Sequence, residues 1–174
     1  MIITTGGVSV GKKDIMHESL RLMGAERIFW RVKMKPGMPT LFSAYKKTSD
    51  ITATDYCVSE REIPIISLSG NPFGVAVSIE LLIRPALEKM MQDPSIGLKE
   101  VNGIMADNFE KGIKGRRFIR AYLENGKFHL PKGLHSNGVL SSMAGCNCLI
   151  DTKTMENQES RSLNAGDKVG AILL

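Results

Sequence analysis

Thr4-Thr5-Gly6-Gly7-Val8-Ser9-Val10-Gly11, with Asp14 three residues further on, is the stretch that decides the fold. Met1-Ile2-Ile3-Thr4-Thr5 leads into it and is rich in β-branched residues, which suits a strand. Asp14 to Gly24 follows it and reads as a helix, with Ile15, Leu20 and Leu22-Met23 on its apolar side and Gly24 as its stop. A strand that passes through a glycine-rich turn into a helix makes an anion cradle. Glycines let the backbone approach closely, and the free N–H groups of the turn face the anion. The stretch predicts the phosphate-handling corner of an α/β enzyme. Ser9 has two readings, a substrate contact or a cap for the following helix.

Working outward, Ala25 to Lys33 reads as a second strand around Ile28-Phe29-Trp30, and Arg31, Lys33 and Lys35 alternate as if on one face of an extended segment. Lys35-Pro36-Gly37-Met38-Pro39 is a stiff loop, because two prolines fix φ on either side of a glycine. Its lysine is either a surface side chain on a plain turn or a cation held in place. Thr40 to Tyr45 and Ile63 to Leu68 read as strands flanking a polar insert, Lys46 to Glu62. Ser69-Gly70-Asn71-Pro72 then turns the chain into a long helix, Phe73 to Met91, with Val75, Ile79, Leu82-Ile83 and Leu87 at helical spacing and a kink or restart at Pro85. Two strand–turn–helix junctions on one sheet open on the same edge, where α/β proteins bind ligands.

After Gln92–Gly97 the texture changes to short segments, Val101–Met105, Phe118–Glu124, Lys127–Leu130, Cys148–Asp151 and Lys168–Leu174, separated by turn residues. That spacing predicts a small all-β, barrel-like domain with one helical turn at Val139–Ala144. The expected organisation is therefore an α/β domain over 1–93 and a β-barrel-like domain over 98–174. A nucleotide-type strand with few neighbours also suggests the C-terminal portion of a longer protein.

Net charge is +5, distributed in blocks: residues 1–47 carry nine Lys/Arg against three Asp/Glu, and residues 99–133 carry eight against four. A basic block beside a glycine cradle suits an anionic ligand, although a solvated basic face explains the charge alone equally well. No apolar run approaches the roughly 20 residues of a membrane span, and no signal peptide is legible, so the expectation is a cytoplasmic chain without membrane contact. Cys57, Cys146 and Cys148 lack zinc spacing and read as reduced thiols. His17, His129 and His135 have no nucleophile beside them in the sequence pattern, and Trp30 reads as core.

Taken in order, Thr4–Gly11 with Asp14, Phe29-Trp30-Arg31-Val32-Lys33-Met34-Lys35-Pro36-Gly37-Met38-Pro39 and Leu68-Ser69-Gly70-Asn71-Pro72 resemble the molybdopterin molybdenumtransferase family, to which the gephyrin E domain belongs. Gly115-Arg116-Arg117-Phe118-Ile119-Arg120 and Gly138–Ala144 are weaker marks of its C-terminal barrel. The resemblance implies a partial molybdopterin-binding three-layer α/β/α domain followed by that barrel. It implies a transferase of molybdenum cofactor biosynthesis that inserts molybdate into adenylylated molybdopterin and releases AMP with a divalent metal, Mg2+. On this resemblance Asp14 and Lys35 are the catalytic candidates, and Asp14 is the metal ligand. Gly6, Gly7, Ser9, Gly11, Arg31, Pro36, Gly37, Pro39, Gly70, Asn71, Pro72 and Arg120 would bind substrate.

The departures are specific. Arg31 stands where the family usually has lysine, Ser69 where it usually has proline, and Asn137 where it has a serine. The family's N-terminal domains and the first half of its α/β domain are not matched, and with them go further acidic metal ligands and most of the homodimer contact. The fragment is therefore expected to be inactive alone. The alternatives are a non-catalytic pterin- or partner-binding remnant, nucleic-acid recognition by the basic β region, and a related pterin-adenylylating enzyme. Aromatics at 6% and the absence of a single-strand motif weigh against nucleic acid, and the Lys-Pro-Gly turn weighs against the adenylylating enzyme.

Overall fold

The computed structural model describes residues 1–47, 61–113, 115–132, 138–152 and 161–174. Cys57, most of the 46–62 insert, His135 and Asn137 lie outside these residues. The chain divides into two units, one of Met1–Val32 with Pro39–Gly70 and one of Lys33–Met38 with Asn71–Leu174.

In the first unit, β1 (Ile2–Thr5), β2 (Glu26–Trp30), β3 (Leu41–Lys47) and β4 (Arg61–Leu68) form a sheet in the order β1-β4-β3-β2. β1 runs parallel to β4, whereas β3 is antiparallel to both β2 and β4. Thr5 is the register partner of Leu68, so the two glycine loops leave the sheet at the same end. The helix α1 (Met16–Leu22) is shorter than the sequence suggests. Asp14 N–H bonds to the Gly11 carbonyl at 2.9 Å, closing a turn before the helix begins. Its late start leaves Ile15, Leu22 and Met23 exposed and seats Leu20 in a core of Val8, Leu41 and Ile65. The run of cations after Trp30 is not an extended face, because Arg31 adopts φ 73° and turns the chain there.

In the second unit, α2 (Pro72–Ser78) passes through a π-helical turn, Ile79–Ile83, into α3 (Arg84–Met91). Pro85 restarts the helix instead of breaking it, because Pro near a helix start has no intrahelical N–H to lose. The widened turn shifts the helical phase. Phe73, Gly74, Val77 and Ser78 are therefore buried, while Ile79 stands 41% exposed. Beyond a 3₁₀ turn at Pro94–Ile96, β5 (Lys99–Met105), β7 (Phe118–Glu124), β8 (Lys127–His129), β9 (Cys148–Asp151) and β11 (Lys168–Leu173) close a barrel in the order β11-β5-β8-β7-β9. β6 (Phe109–Ile113) and β10 (Arg161–Leu163) pair separately; neither was legible beforehand.

Alternation sorts the barrel residues onto two faces. Ile119 and Ala121 on β7, Cys148 and Ile150 on β9 and Ala171 on β11 join Met105, Phe109, Phe128 and Leu163 in the barrel core. The intervening Phe118, Leu149 and Ile172 pack against Phe73 and Val77 of α2.

Burial pushes the Cys148 thiol up to about 12 from its ordinary 9.0. The unfolded chain sheds this proton near its ordinary value while the folded chain keeps it, so the associated stability is full below pH 9 and is lost as pH rises toward 12. Urea unfolding from pH 8 to 11 is expected to show a falling midpoint, and Cys148→Ala should flatten that slope.

Candidate functional site

The cradle lies in the first unit. The Gly6 N–H bonds to the Leu68 carbonyl at 2.9 Å, extending the β1–β4 pairing by one residue into the loop. A Cβ on Gly70 would stand 3.3 Å from the Gly6 Cα, so the two loops touch through backbone that only glycine keeps open. Val8, between the glycines, is 1% exposed and its carbonyl is gripped twice. Trp30 Nε1 donates to it at 2.9 Å, and His17 Nε2 lies 3.3 Å from it. His17 meets the Trp30 ring edge-on at 4.7 Å between centroids. Arg31 lies over the same indole at 4.1 Å, which brings it to this clamp by cation–π contact.

Ser9 and Gly11 are exposed on the rim of the turn. Ser9 does not cap α1, whose N-cap is Ile15 without a side-chain bond. Instead the Gly11 N–H donates to Asp14 Oδ2 at 2.6 Å, fixing the half-buried carboxylate to the turn. Asp14 also borders a recess of about 470 Å³ together with His17, Arg21, Arg27 and Ser43. Among the described residues no three His, Cys, Asp or Glu side chains are grouped to share a metal ion. A single anchored carboxylate fits a hard cation whose remaining ligands are water and substrate oxygens.

The second unit gathers Lys35, Pro36, Gly37, Asn71, Pro72 and Arg120 around α2 and β7, whereas Pro39 belongs to the first unit. The Lys35 N–H bonds to the Arg116 carbonyl at 3.0 Å, and the Phe118 N–H bonds to the Lys35 carbonyl at 2.8 Å. The loop is thus a one-residue strand against the start of β7, with Lys35 and Arg117 as parallel register partners. Pro36 and Gly37 are buried, and Lys35 is exposed. Gly37 has φ 96°, and a Cβ there would stand 2.7 Å from both Met34 Cε and Ser78 Oγ. Asn71 caps α2, its Oδ1 accepting from the Gly74 N–H at 3.1 Å, and Pro72 occupies the first helical turn.

Arg120 is 2% exposed, lies 4.1 Å from the Phe73 ring and donates to the Ser142 hydroxyl, which donates in turn to the Val139 carbonyl. Burial lowers its pKa, an effect opposed by the neighbouring Cys146. Burial likewise raises the Cys146 thiol, against the pull of Arg120. Sequence reasoning missed Ser142 and Phe73 as the partners of Arg120, since no local spacing joins them. It also left Arg117 as a solvated residue.

Residues 1–89 match the family described as a probable molybdopterin binding domain, and residues 102–174 match the MoeA C-terminal region, domain IV. A curated molybdopterin molybdenumtransferase of Staphylococcus aureus strain COL is 30% identical over 99% of this chain and 38% of its own length. The chain belongs to the molybdopterin molybdenumtransferase family. A further family member, from Staphylococcus epidermidis, is 27% identical with the same coverage. The chain spans 38% of the length of these curated relatives. The fold agrees with two crystal structures of the molybdopterin biosynthesis MoeA protein from Pyrococcus horikoshii. One has a TM-score of 0.60 at 23% identity, covering 85% of this chain and 32% of that one. The other has 0.66 at 18%, covering 99% and 37%.

Two substitutions test this loop and cap chemistry by urea unfolding. Gly37→Ala should cost about 1–3 kcal/mol, because it combines positive φ with overlap against Met34 and Ser78. Asn71→Ala should cost about 1 kcal/mol through the lost cap. Both are expected to shift the midpoint without changing the m-value.

Proposed function

We propose that this chain carries the substrate-gripping part of a molybdenum insertion reaction, in which molybdate enters adenylylated molybdopterin and AMP is released. The observation that carries the reading is the contact of Gly6 with Gly70 at the ends of parallel β1 and β4, with Asp14 tied into the same turn. Backbone N–H groups of Gly6–Gly11 would hold phosphate, and Gly70-Asn71-Pro72 would shape the pocket wall. Ser9 would touch substrate from the exposed rim, and Arg31 would add positive charge beside the Val8 clamp. Asp14 would hold Mg2+, which when bound offsets charge on the scissile phosphate. Lys35 would hold an oxyanion as a point charge, steadied by Pro36, Gly37 and Pro39. Arg120 would contribute buried positive charge behind the Phe73 face. The homodimer and the cytoplasmic location belong to this proposal as properties of the longer family protein.

A second reading, a non-catalytic pterin- or partner-binding remnant, is favoured by the 38% coverage of the relatives. The experiment supplies adenylylated molybdopterin, molybdate and magnesium to the chain alone and to the chain joined to the remainder of a relative. AMP release from the joined protein alone is expected. Asp14→Asn should reduce it at least about tenfold, because a carboxylate-held divalent ion supplies several kcal/mol of charge stabilisation. Unaltered release would remove Asp14 from the site. Pterin binding by the joined protein without AMP release would favour the remnant.

A further inference from the structure

Three cations meet where the Lys35 loop joins β7, and they are treated differently. Arg116 forks onto Asp151, with Nη2–Oδ2 at 2.7 Å and Nε–Oδ1 at 3.1 Å. Lys35 and Arg117 have no carboxylate partner among the described residues. They are nevertheless register partners in a parallel bridge, which puts their side chains on the same face. Phe118 and Arg120 turn toward Phe73, and Ile119 and Ala121 fill the barrel, so alternation assigns Arg117 to the barrel-interior face, at its lip. The Arg117 guanidinium lies 6.0 Å from the Phe109 ring of that core. Its Nε is buried without a hydrogen-bond partner, which leaves the terminal nitrogens as the ones that reach solvent. Burial lowers the Arg117 pKa.

Like charges directly opposite one another in a sheet destabilise it, and a half-dry flank strengthens any electrostatic interaction made there. An arrangement of this kind is relieved by an anion that both cations can reach. We propose that Lys35 and Arg117 form a two-cation subsite for a tetrahedral oxyanion at the lip of the barrel. The inference rests on the reading that Lys35 meets an anionic substrate, and it adds the second donor. Lys35 supplies a mobile point charge. Arg117 supplies a planar fork that sets the orientation of two oxygens. Two sources share this chemistry: free molybdate and the phosphate of a nucleotide.

The test is equilibrium dialysis of the full chain with sodium molybdate and, separately, inorganic phosphate, with melting temperatures recorded alongside. The wild-type chain should bind at least one anion, more weakly as NaCl rises, and the tighter one identifies the source. Arg117→Met keeps the stem over Phe109 and should weaken binding at least about tenfold, the loss of one charge-assisted hydrogen bond. It should also leave the anion-free melting temperature unchanged or raised, since a like-charge contact is removed, while abolishing the anion-induced rise. Arg117→Lys should fall between the two, and it carries the test if the methionine variant does not fold. Weakening by Lys35→Met but by neither Arg117 variant overturns the subsite and leaves the Lys35 reading standing. Weakening by neither residue, or no binding of either anion by the wild-type chain, overturns both.

Discussion

Two backbone hydrogen bonds, from Lys35 N–H to the Arg116 carbonyl and from Phe118 N–H to the Lys35 carbonyl, decide where the cation loop belongs. By sequence position the loop merely connects β2 to β3. Its backbone pairs instead with a strand that begins more than eighty residues later, and it groups with the barrel unit. Pairing alone would leave the loop free to twist. Gly37 removes that freedom by lying against Met34, Gly74 and Ser78 without a side chain of its own. The small residues Gly74 and Ser78 on α2 are buried for the same reason: any larger pair would push the loop off the helix. Lys35 is thus exposed at its tip and immobilised at its backbone, which pre-organises the charge before any ligand arrives.

The glycine turn obeys the same logic in different materials. Parallel pairing of β1 with β4 places Thr5 beside Leu68, and one further hydrogen bond at Gly6 carries the register into the loops. Nothing in regular secondary structure holds the rest of the turn. The Val8 side chain does so by entering the core, and Trp30 and His17 do so by meeting the Val8 carbonyl. Both the backbone acceptor and the side chain of one residue are therefore satisfied from opposite directions. The amides on its glycine flanks keep a defined position while the rim, at Ser9 and Val10, stays exposed.

What could be read beforehand follows from the range of each interaction. Strands β7 and β9 and the two strand–turn–helix junctions were legible because alternation, glycine and proline are local signals. The α2–α3 helix was legible as a whole, but its buried face was not. The π-helical turn before Pro85 shifts the phase, which moves Ile79 outward and sets Phe73 and Val77 inward. β6 and β10 escaped because Phe109–Ile113 and Arg161–Leu163 are short and pair across some fifty residues. Arg31 was misjudged for a local reason: a positive φ at a non-glycine residue ends the alternation, and nothing in the residue type announces it. The partners of Arg120 were invisible because Ser142 and Phe73 reach it only through the tertiary fold.

Arg117 and Arg120 are neighbours on one strand, and burial lowers the pKa of both. Desolvation therefore cannot tell a structural arginine from one awaiting a ligand. The hydrogen bonds can. Arg120 faces the α2 layer, where the Phe73 ring and the Ser142 hydroxyl meet its guanidinium and tie it to the 3₁₀ turn at Leu140–Met143. Its charge is costly to bury, and the fold answers that cost internally. Arg117 faces the other side, with a dry Nε, an aromatic ring at 6.0 Å and a second cation as its register partner. Chain alternation makes this division unavoidable: a strand with arginines three residues apart must offer them to opposite faces. One face is closed by a helix, and the other ends at the open lip of a barrel. A positive charge placed there without an internal answer takes its compensation from outside the fold.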